Sequence, residues 1–238
     1  MTTIVSALDR IARQCSIKSP TSWVTATSDT HTEIRDDFLL ETIEDIQDRV
    51  DLASPIGKVT TITGDGSQNY ALPSDFRRLQ RDPMAVYDVL QDRPVLPISA
   101  DGTWEFLDDI GTAGVVKYYR VKGYEGNFTI DIETEPATGE TFKVSYVSDL
   151  WMANGGTAGN AFTAEDDVLL LPRRLVETGV VWRYRERKGL PYQDKWSEYE
   201  ALMSRLGNDS RGRRTINFAD DAAPVRWQDM IPSYIPTS

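Results

Sequence analysis

The chain is predicted to be an α+β protein in which N- and C-terminal helices form a helical bundle, an antiparallel β-sheet domain is inserted between them, and an extended C-terminal tail follows. Three observations predict this class. Apolar residues recur at helical spacing near both ends, they alternate with polar residues between Lys58 and Ser148, and no period is sustained after Leu206. The N-terminal helices are predicted at residues 1–56 and the β domain at 57–151. The helical pair follows at 152–206 and the tail at 207–238.

Composition favours a folded chain with a core of its own. The 238 residues are 40% hydrophobic, which suits one sizeable domain or two small ones. The single Cys15 excludes an intramolecular disulfide framework, and the sequence shows neither a signal-peptide pattern nor an apolar run long enough to span a membrane. We therefore expect a chain that is made and folded in a reducing cytoplasm.

Charge is distributed unevenly around a net value of −11. Residues 65–164 contain 8 Lys and Arg against 15 Asp and Glu, whereas residues 165–238 contain 12 of each. Tight binding of nucleic acid over the whole surface needs clustered Lys and Arg, so this pattern excludes it. An acidic surface that faces DNA would instead let the DNA pass without sticking.

Two helices are predicted before the strands. The first covers residues 2–14, with a threonine at position 2 or 3 as its cap. The second starts at a capping box formed by Thr30 and Glu33 and continues to about Val50. The apolar positions on the two helices are Ile4, Leu8 and Ile11, and Ile34, Phe38, Ile43, Ile46 and Val50.

The β domain is predicted from alternation and turn residues. A β-branched strand starts at Lys58, and residues 70–76 form a strand end that leads into a turn. The strongest pattern is a β-meander, in which Phe128, Ile130 and Ile132 share one face, as do Phe142, Val144 and Tyr146; its strands are 115–124, 128–134 and 141–148. A helical turn is predicted around Trp104, Trp151 ends the sheet region, and 153–163 is expected to be a flexible loop.

Two antiparallel helices are predicted after that loop. Thr163 and Asp166 form a capping box for the first, which Gly189 ends; Pro172 leaves open a kink or a later start. A short Gly-Leu-Pro connection leads to the second helix. The residues predicted to pack the pair are Val168, Leu171, Leu175 and Trp182 on the first helix and Trp196, Tyr199, Met203 and Leu206 on the second.

The tail carries spaced basic and aromatic residues without a core of its own. Such a segment commonly orders on a partner, although packing back on its own domain is an equal alternative. The candidate docking residues are Arg211, Arg213, Arg214, Phe218, Trp227 and Tyr234.

Catalytic patterns are weak throughout the chain. His31 is the only histidine, so a serine triad lacks a free base and a histidine-based metal site lacks ligands. Cys15 has no basic residue reliably placed beside it, and the glycines near position 156 lack the Lys-Ser/Thr of a phosphate loop. We expect no enzyme activity and no cofactor. An enzyme that cleaves cell-wall polysaccharide through two converging acids stays an open alternative.

A second class of function, carbohydrate binding, is predicted from the tryptophan side chains. Trp104 and Trp151 are the candidates for an exposed aromatic platform that stacks on sugars, because Trp182 and Trp196 fall on helical apolar stripes. The alternative hypothesis is therefore a carbohydrate-recognising module with the sheet as its binding face.

Four stretches, in order and spacing, resemble the head-to-tail adaptor proteins of tailed bacteriophages, the group that includes the tail tubular protein A type. The resemblance covers roughly residues 57–206. The stretches are YALPSDF at 70–76, the hairpin from Phe128 to Trp151, EDDVLLLP at 165–172, and WRYR at 182–185 followed by KGLPY at 188–192 and a helix containing Tyr199.

This resemblance implies a structural virion protein rather than an enzyme. Family members form a twelve-subunit ring below the portal protein, extend the channel for the passing double-stranded DNA, and anchor the tail nozzle protein and the tail fibres or spikes. The resemblance thus implies a protein of the virion neck that is assembled in the host cytoplasm and needs no membrane. The tail, through Arg211 to Arg214 and Trp227, is expected to anchor on the portal.

Overall fold

The computed structural model describes residues 3–82, 84–98, 101–110, 117–124 and 126–210. Helices lie at both ends of this span, and mainly antiparallel sheets lie between them. The predicted α+β class is therefore confirmed.

Two helical regions precede the strands. Helix α1 (Ile4–Gln14) starts after Thr3, whose side chain accepts a hydrogen bond from the Ser6 amide, as predicted. The second region contains α2 (Asp29–Thr32), a π-helical segment (Glu33–Phe38) and α3 (Leu39–Arg49). The predicted capping box is wrong, because this region starts after Ser28 and both Thr30 and Glu33 lie inside it. Its predicted end is confirmed, since Val50 is already extended.

Within the described ranges, nine strands form the two larger sheets. The five-stranded sheet contains β1 (Gly57–Thr63), β3 (Phe76–Leu79), β4 (Val86–Asp88), β5 (Arg93–Pro94) and β9 (Thr141–Ser148). The four-stranded sheet contains β2 (Asn69–Ala71), β6 (Leu96–Pro97), β7 (Tyr118–Tyr124) and β8 (Asn127–Ile132), and only its β6–β7 pair is parallel among the described strands. Helix α4 (Asp101–Ile110) lies between β6 and β7 in the chain, where a single helical turn was predicted.

Strand β9 is the centre of the five-stranded sheet. It pairs with β1 along one edge and with β3 and then β4 along the other. The apolar faces of the two larger sheets share one core, because burying apolar faces against each other removes both from water. Its buried members are Ile62, Leu72, Phe76, Val86, Val95, Tyr119, Ile130, Ile132, Phe142, Val144 and Tyr146.

The predicted meander is correct for two of its three strands. β7 and β8 form the predicted hairpin, but β9 joins the other sheet instead of pairing with β8. Alternation correctly predicted which residues of β8 and β9 face the core, and Ile130 and Phe142 are fully buried. Periodicity fixes the buried face of a strand but not its neighbour, which explains the wrong pairing.

The segment after β9 contains strands that the sequence did not predict. β10 (Met152–Asn154), β11 (Thr157–Gly159) and β12 (Val168–Leu169) form a small sheet, so the predicted flexible loop is wrong. The capping box at Thr163 and Asp166 is also wrong. Instead, the Asp167 carboxylate accepts hydrogen bonds from the backbone amides of Thr163 and Ala164 at 2.8 and 2.9 Å, which holds a turn.

The helical pair is present, with a later start than the capping box implied. Helix α5 (Arg173–Arg187) follows Pro172, as expected for a residue that disfavours helix before it. Helix α6 (Gln193–Ser210) extends four residues past the predicted start of the tail. Helices α1, α3, α5 and α6 share one apolar core, to which the small sheet contributes Met152 and Leu169.

Candidate interaction surfaces

Most residues predicted to pack the helical pair do contribute to the helical core. Leu175, Tyr199 and Met203 are buried, and Leu171 is buried although it precedes α5. Val168 lies in β12 and is half-buried, while Trp182 and Leu206 are partly buried against the same core.

Trp196 is the exception, with 46% of its surface exposed. Tyr192, just before α6, lies beside Trp182 with 6.4 Å between the ring centroids, and Tyr199 lies at 6.2 Å from the same ring. The predicted packing role of Trp196 is therefore wrong, because these two tyrosines already cover Trp182. Trp196 and Leu190, which is 47% exposed, leave apolar surface where α5 connects to α6.

The predicted aromatic platform is also wrong. Trp104 is 4% exposed and lies under the Arg120 guanidinium, 4.3 Å from its ring centre. Trp151 is 3% exposed, and its indole nitrogen donates a 2.8 Å hydrogen bond to the carbonyl of Asn160. Neither ring offers a face for stacking on a sugar.

The candidate docking residues of the tail lie outside the described residues. They are Arg211, Arg213, Arg214, Phe218, Trp227 and Tyr234.

The two candidate catalytic side chains have structural partners. His31 packs edge-on against Trp23, and its Nε2 lies 2.9 Å from the carbonyl of Lys18. Burial raises the pKa of the Cys15 thiol to about 11, although the charge of Arg185 opposes this, so the thiol stays protonated at neutral pH. Within the described ranges, no group of three or more His, Cys, Asp and Glu side chains is placed to hold a metal ion.

Asp75, in the YALPSDF stretch, joins several strands at the end of the sheets nearest the helices. Its carboxylate accepts hydrogen bonds from Lys58 on β1 at 2.5 Å and from Ser148 and Tyr146 on β9 at 2.7 and 3.1 Å. The Ser148 carbonyl in turn accepts a buried 3.0 Å hydrogen bond from Gln47 of α3. Asp75 therefore connects the strands at the point where the helical core begins.

Protonating Asp75 is expected to weaken the fold. Burial opposes the effect, but hydrogen bonds from Lys58 and Ser148 hold the pKa of Asp75 below its ordinary value. The pKa of Asp75 is lower in the folded chain than in the unfolded chain, where it is about 3.9. The carboxylate therefore stabilises the fold at pH values above about 3.9. This stabilisation is lost as the pH falls through the pKa of the folded chain.

Asp75→Asn should therefore lower the free energy of unfolding at pH 7 by about 1–3 kcal/mol and flatten its decline below about pH 5. Urea unfolding at pH 7, 5 and 3.5 measures both effects. Asp166→Asn, at an exposed position, is the control and should leave the curve unchanged. Equal slopes for the wild type and Asp75→Asn would contradict the assigned role.

Arginines from β3 and the residues after it bind the C-terminal end of α3. Arg78 donates to the carbonyls of Gln47 and Val50 at 2.8 and 2.9 Å and to the Asp51 carboxylate at 2.6 Å. Arg81 donates to the carbonyl of Asp48 at 2.9 Å. The last carbonyls of a helix lack partners within it and carry partial negative charge, so these guanidinium groups both satisfy and neutralise the helix end.

The sequence contains a charge pattern that matches this contact. Three arginines, Arg77, Arg78 and Arg81, closely follow the YALPSDF turn, while Asp48 and Asp51 lie at the predicted end of a helix. Opposite charges at a strand start and a helix end suggest a contact, but only the topology shows that the two segments meet.

A polar groove of about 370 Å³ lies among α1, α5 and α6. Among the described residues, four cations and two carboxylates line it, so this lining carries net positive charge on a chain that is acidic as a whole. We name it the basic groove; its lining residues are Arg10, Gln14, Arg173, Arg174, Glu177, Thr178, Lys195 and Glu198.

Each carboxylate of the basic groove forms ion pairs with two cations. Glu177 is buried and lies 2.6 Å from Arg173 and 3.9 Å from Arg10. Glu198 accepts hydrogen bonds from Lys195 and Arg174, both at 2.8 Å, and these cations lower its pKa. Since an arginine carries five N–H donors, the groove keeps donors for a further carboxylate.

The outer face of the α3 region has the opposite charge. Asp37, Leu40, Glu41 and Glu44 recur at helical spacing and are all exposed, whereas Thr42, Ile43 and Ile46 on the inner face are buried. We name these four exposed residues the acidic stripe. The Leu40 side chain, at 38% exposure, places apolar surface in its middle.

The basic groove and the acidic stripe lie on different sides of α5. Glu177 of α5 faces Arg10 of α1, whereas Arg183 of α5 faces α3, where it lies 3.3 Å from Asp45. Among the described residues, the groove carboxylates pair with cations of α1, α5 and α6, whereas Glu41 of the stripe pairs with Arg183.

Comparison with known proteins identified no family. No protein-family model matches the chain, and a search of curated proteins found no match. Within the part of the chain that the structure describes, no helix is both long and apolar enough to cross a membrane.

Proposed function

We propose that this chain is a head-to-tail adaptor of a tailed bacteriophage. In this role it forms a ring of twelve copies below the portal protein, extends the channel for the passing double-stranded DNA, and anchors the tail nozzle protein and the tail fibres or spikes. It is a structural protein of the virion neck that acts without a cofactor and is assembled in the cytoplasm of the host.

The observation that carries the proposal is the place of the resembling stretches in the fold. Asp75 connects strands next to the helices, and Leu72 and Phe76 belong to the core between the sheets. Pro172 precedes α5, the helix that contacts α1, α3 and α6. These two stretches thus lie where the helices meet the sheets, as expected if the chain is a helical bundle with an inserted antiparallel domain.

A ring subunit that surrounds the passing DNA benefits from a firm connection between its helices and its sheets. Asp75, Gln47 and Arg78 hold the helices and the sheets together through charged and buried hydrogen bonds. Residues 211–238 follow α6 in the sequence, and the residues that we propose for portal docking lie among them. The acidic middle of the sequence suits a wall that repels DNA.

Negative-stain imaging of the chain mixed with the portal ring from the same genome tests this function. We expect a twelve-fold ring seated on the portal. A chain that stays monomeric and does not bind the portal would contradict the proposal.

A truncation after Ser210 tests the role assigned to the tail. Since α6 ends at Ser210, the shortened chain keeps every described helix and should fold normally by circular dichroism. We expect it to lose attachment to the portal. Full attachment would show that Arg211 to Tyr234 are not the docking residues.

A further inference from the structure

We infer that the basic groove of one copy binds the acidic stripe of the next copy, and that this contact builds the ring. The inference rests on the proposed adaptor function and names the surfaces that join its subunits. The molecule that occupies the basic groove is a second copy of this chain.

Charge complementarity is the first argument. Within the described part of the chain, the groove has four cations for two carboxylates, while the stripe presents three exposed carboxylates around Leu40. Arg174 has 71% and Arg10 has 54% of the side chain exposed, so both reach a neighbouring molecule without leaving Glu198 and Glu177. A carboxylate placed between two arginines would form charge-assisted hydrogen bonds, which are stronger than neutral ones.

Geometry is the second argument. The groove and the stripe are different surfaces on different sides of α5. A contact between different patches of identical chains is heterologous, and such contacts build closed rings when the rotation between copies closes. A two-fold symmetric dimer would need both of its groove–stripe contacts to form at once across one interface, whereas the two surfaces lie on different sides of α5.

Paired charge reversals test the contact. The groove variant carries Arg174→Glu and Lys195→Glu, and the stripe variant carries Asp37→Lys and Glu44→Lys. Glu41 is left unchanged because it lies 3.7 Å from Arg183 of its own chain. Control reversals at the exposed Arg205 and Glu186 should leave assembly unchanged.

Each single-surface variant should lose at least about tenfold in assembled fraction at 0.15 M salt, alone or with the portal ring, because like charges then meet at every contact. Mixing the two variants should restore rings, since each reversed surface then meets its complement in the other chain. Mass photometry and imaging measure assembly, and circular dichroism confirms that each variant is folded.

The remaining outcomes separate this inference from the proposed function. If the wild type forms rings and the single-surface variants form them equally well, the contact is overturned and the adaptor function stands. The same conclusion follows if both variants are folded but do not assemble when mixed. A groove variant that forms rings but no longer binds the portal would show that the groove binds the portal instead. A wild-type chain that forms no ring under any condition would overturn both proposals.

Discussion

Gly179→Val is expected to lower the free energy of unfolding by at least about 3 kcal/mol, or to prevent folding, because no room exists beside this residue. A Cβ atom at position 179 would lie 2.3 Å from Cγ2 of Thr42 and 2.9 Å from Cε2 of Tyr199. Thr42 is fully buried on α3 and Tyr199 is fully buried on α6, so neither can move without displacing the core. At Gly179, therefore, α5 contacts both helices with no space for a side chain.

Gly207→Ala is the matched control for this prediction. Gly207 also lies in a helix, but a Cβ atom there would meet no atom of the described residues within 4 Å. Alanine favours helix over glycine by up to about 1 kcal/mol, so the control should be neutral or slightly stabilising. Thermal and urea unfolding measure both variants. A Gly179→Val chain as stable as the wild type would show that α5 and α3 are not packed as described.

Arg78→Ala is expected to lower the free energy of unfolding by about 2–4 kcal/mol. The substitution leaves the carbonyls of Gln47 and Val50 and the Asp51 carboxylate without the guanidinium that binds them. Arg78→Lys should recover only part of the loss, because an ammonium group cannot reproduce the planar fork of donors.

The control for Arg78 is Arg205→Ala, which removes an exposed arginine from α6. It should change stability by less than about 0.5 kcal/mol. Hydrogen exchange adds a local measurement, since loss of Arg78 should increase exchange at the last turn of α3 more than in β8. Equal exchange in both regions would contradict a specific role at the helix end.

The sequence predicted the elements better than their partners. Periodicity correctly predicted α1, the end of α3 and the core faces of β8 and β9, because these depend on residues near each other in the chain. It could not predict that β9 pairs with β1, since that choice depends on contacts over a long sequence separation. Trp196 shows the same limit, because its place on a helical stripe did not reveal that Tyr192 and Tyr199 cover Trp182.

Candidate sites were harder to predict than the fold for a related reason. Trp104 is a candidate for exposure because it lies outside the helical apolar stripes, yet Arg120, on β7, covers its ring. The basic groove brings together α1, α5 and α6, whose residues are separated by most of the chain. Each helix alone shows ordinary mixed charge, and only the packing reveals an excess of cations.

The helical core also dictates an order of events during synthesis. It joins residues 4–56 to residues 147–203, and Thr3 pairs with Val168, so α1 and α3 cannot bury their apolar faces until the last third of the chain exists. At 5–20 residues per second, about 150 further residues take roughly 8–30 s to translate after α3. The sheets can form during that interval, which leaves the two N-terminal helices as the segment most exposed to chaperones and to premature association on the ribosome.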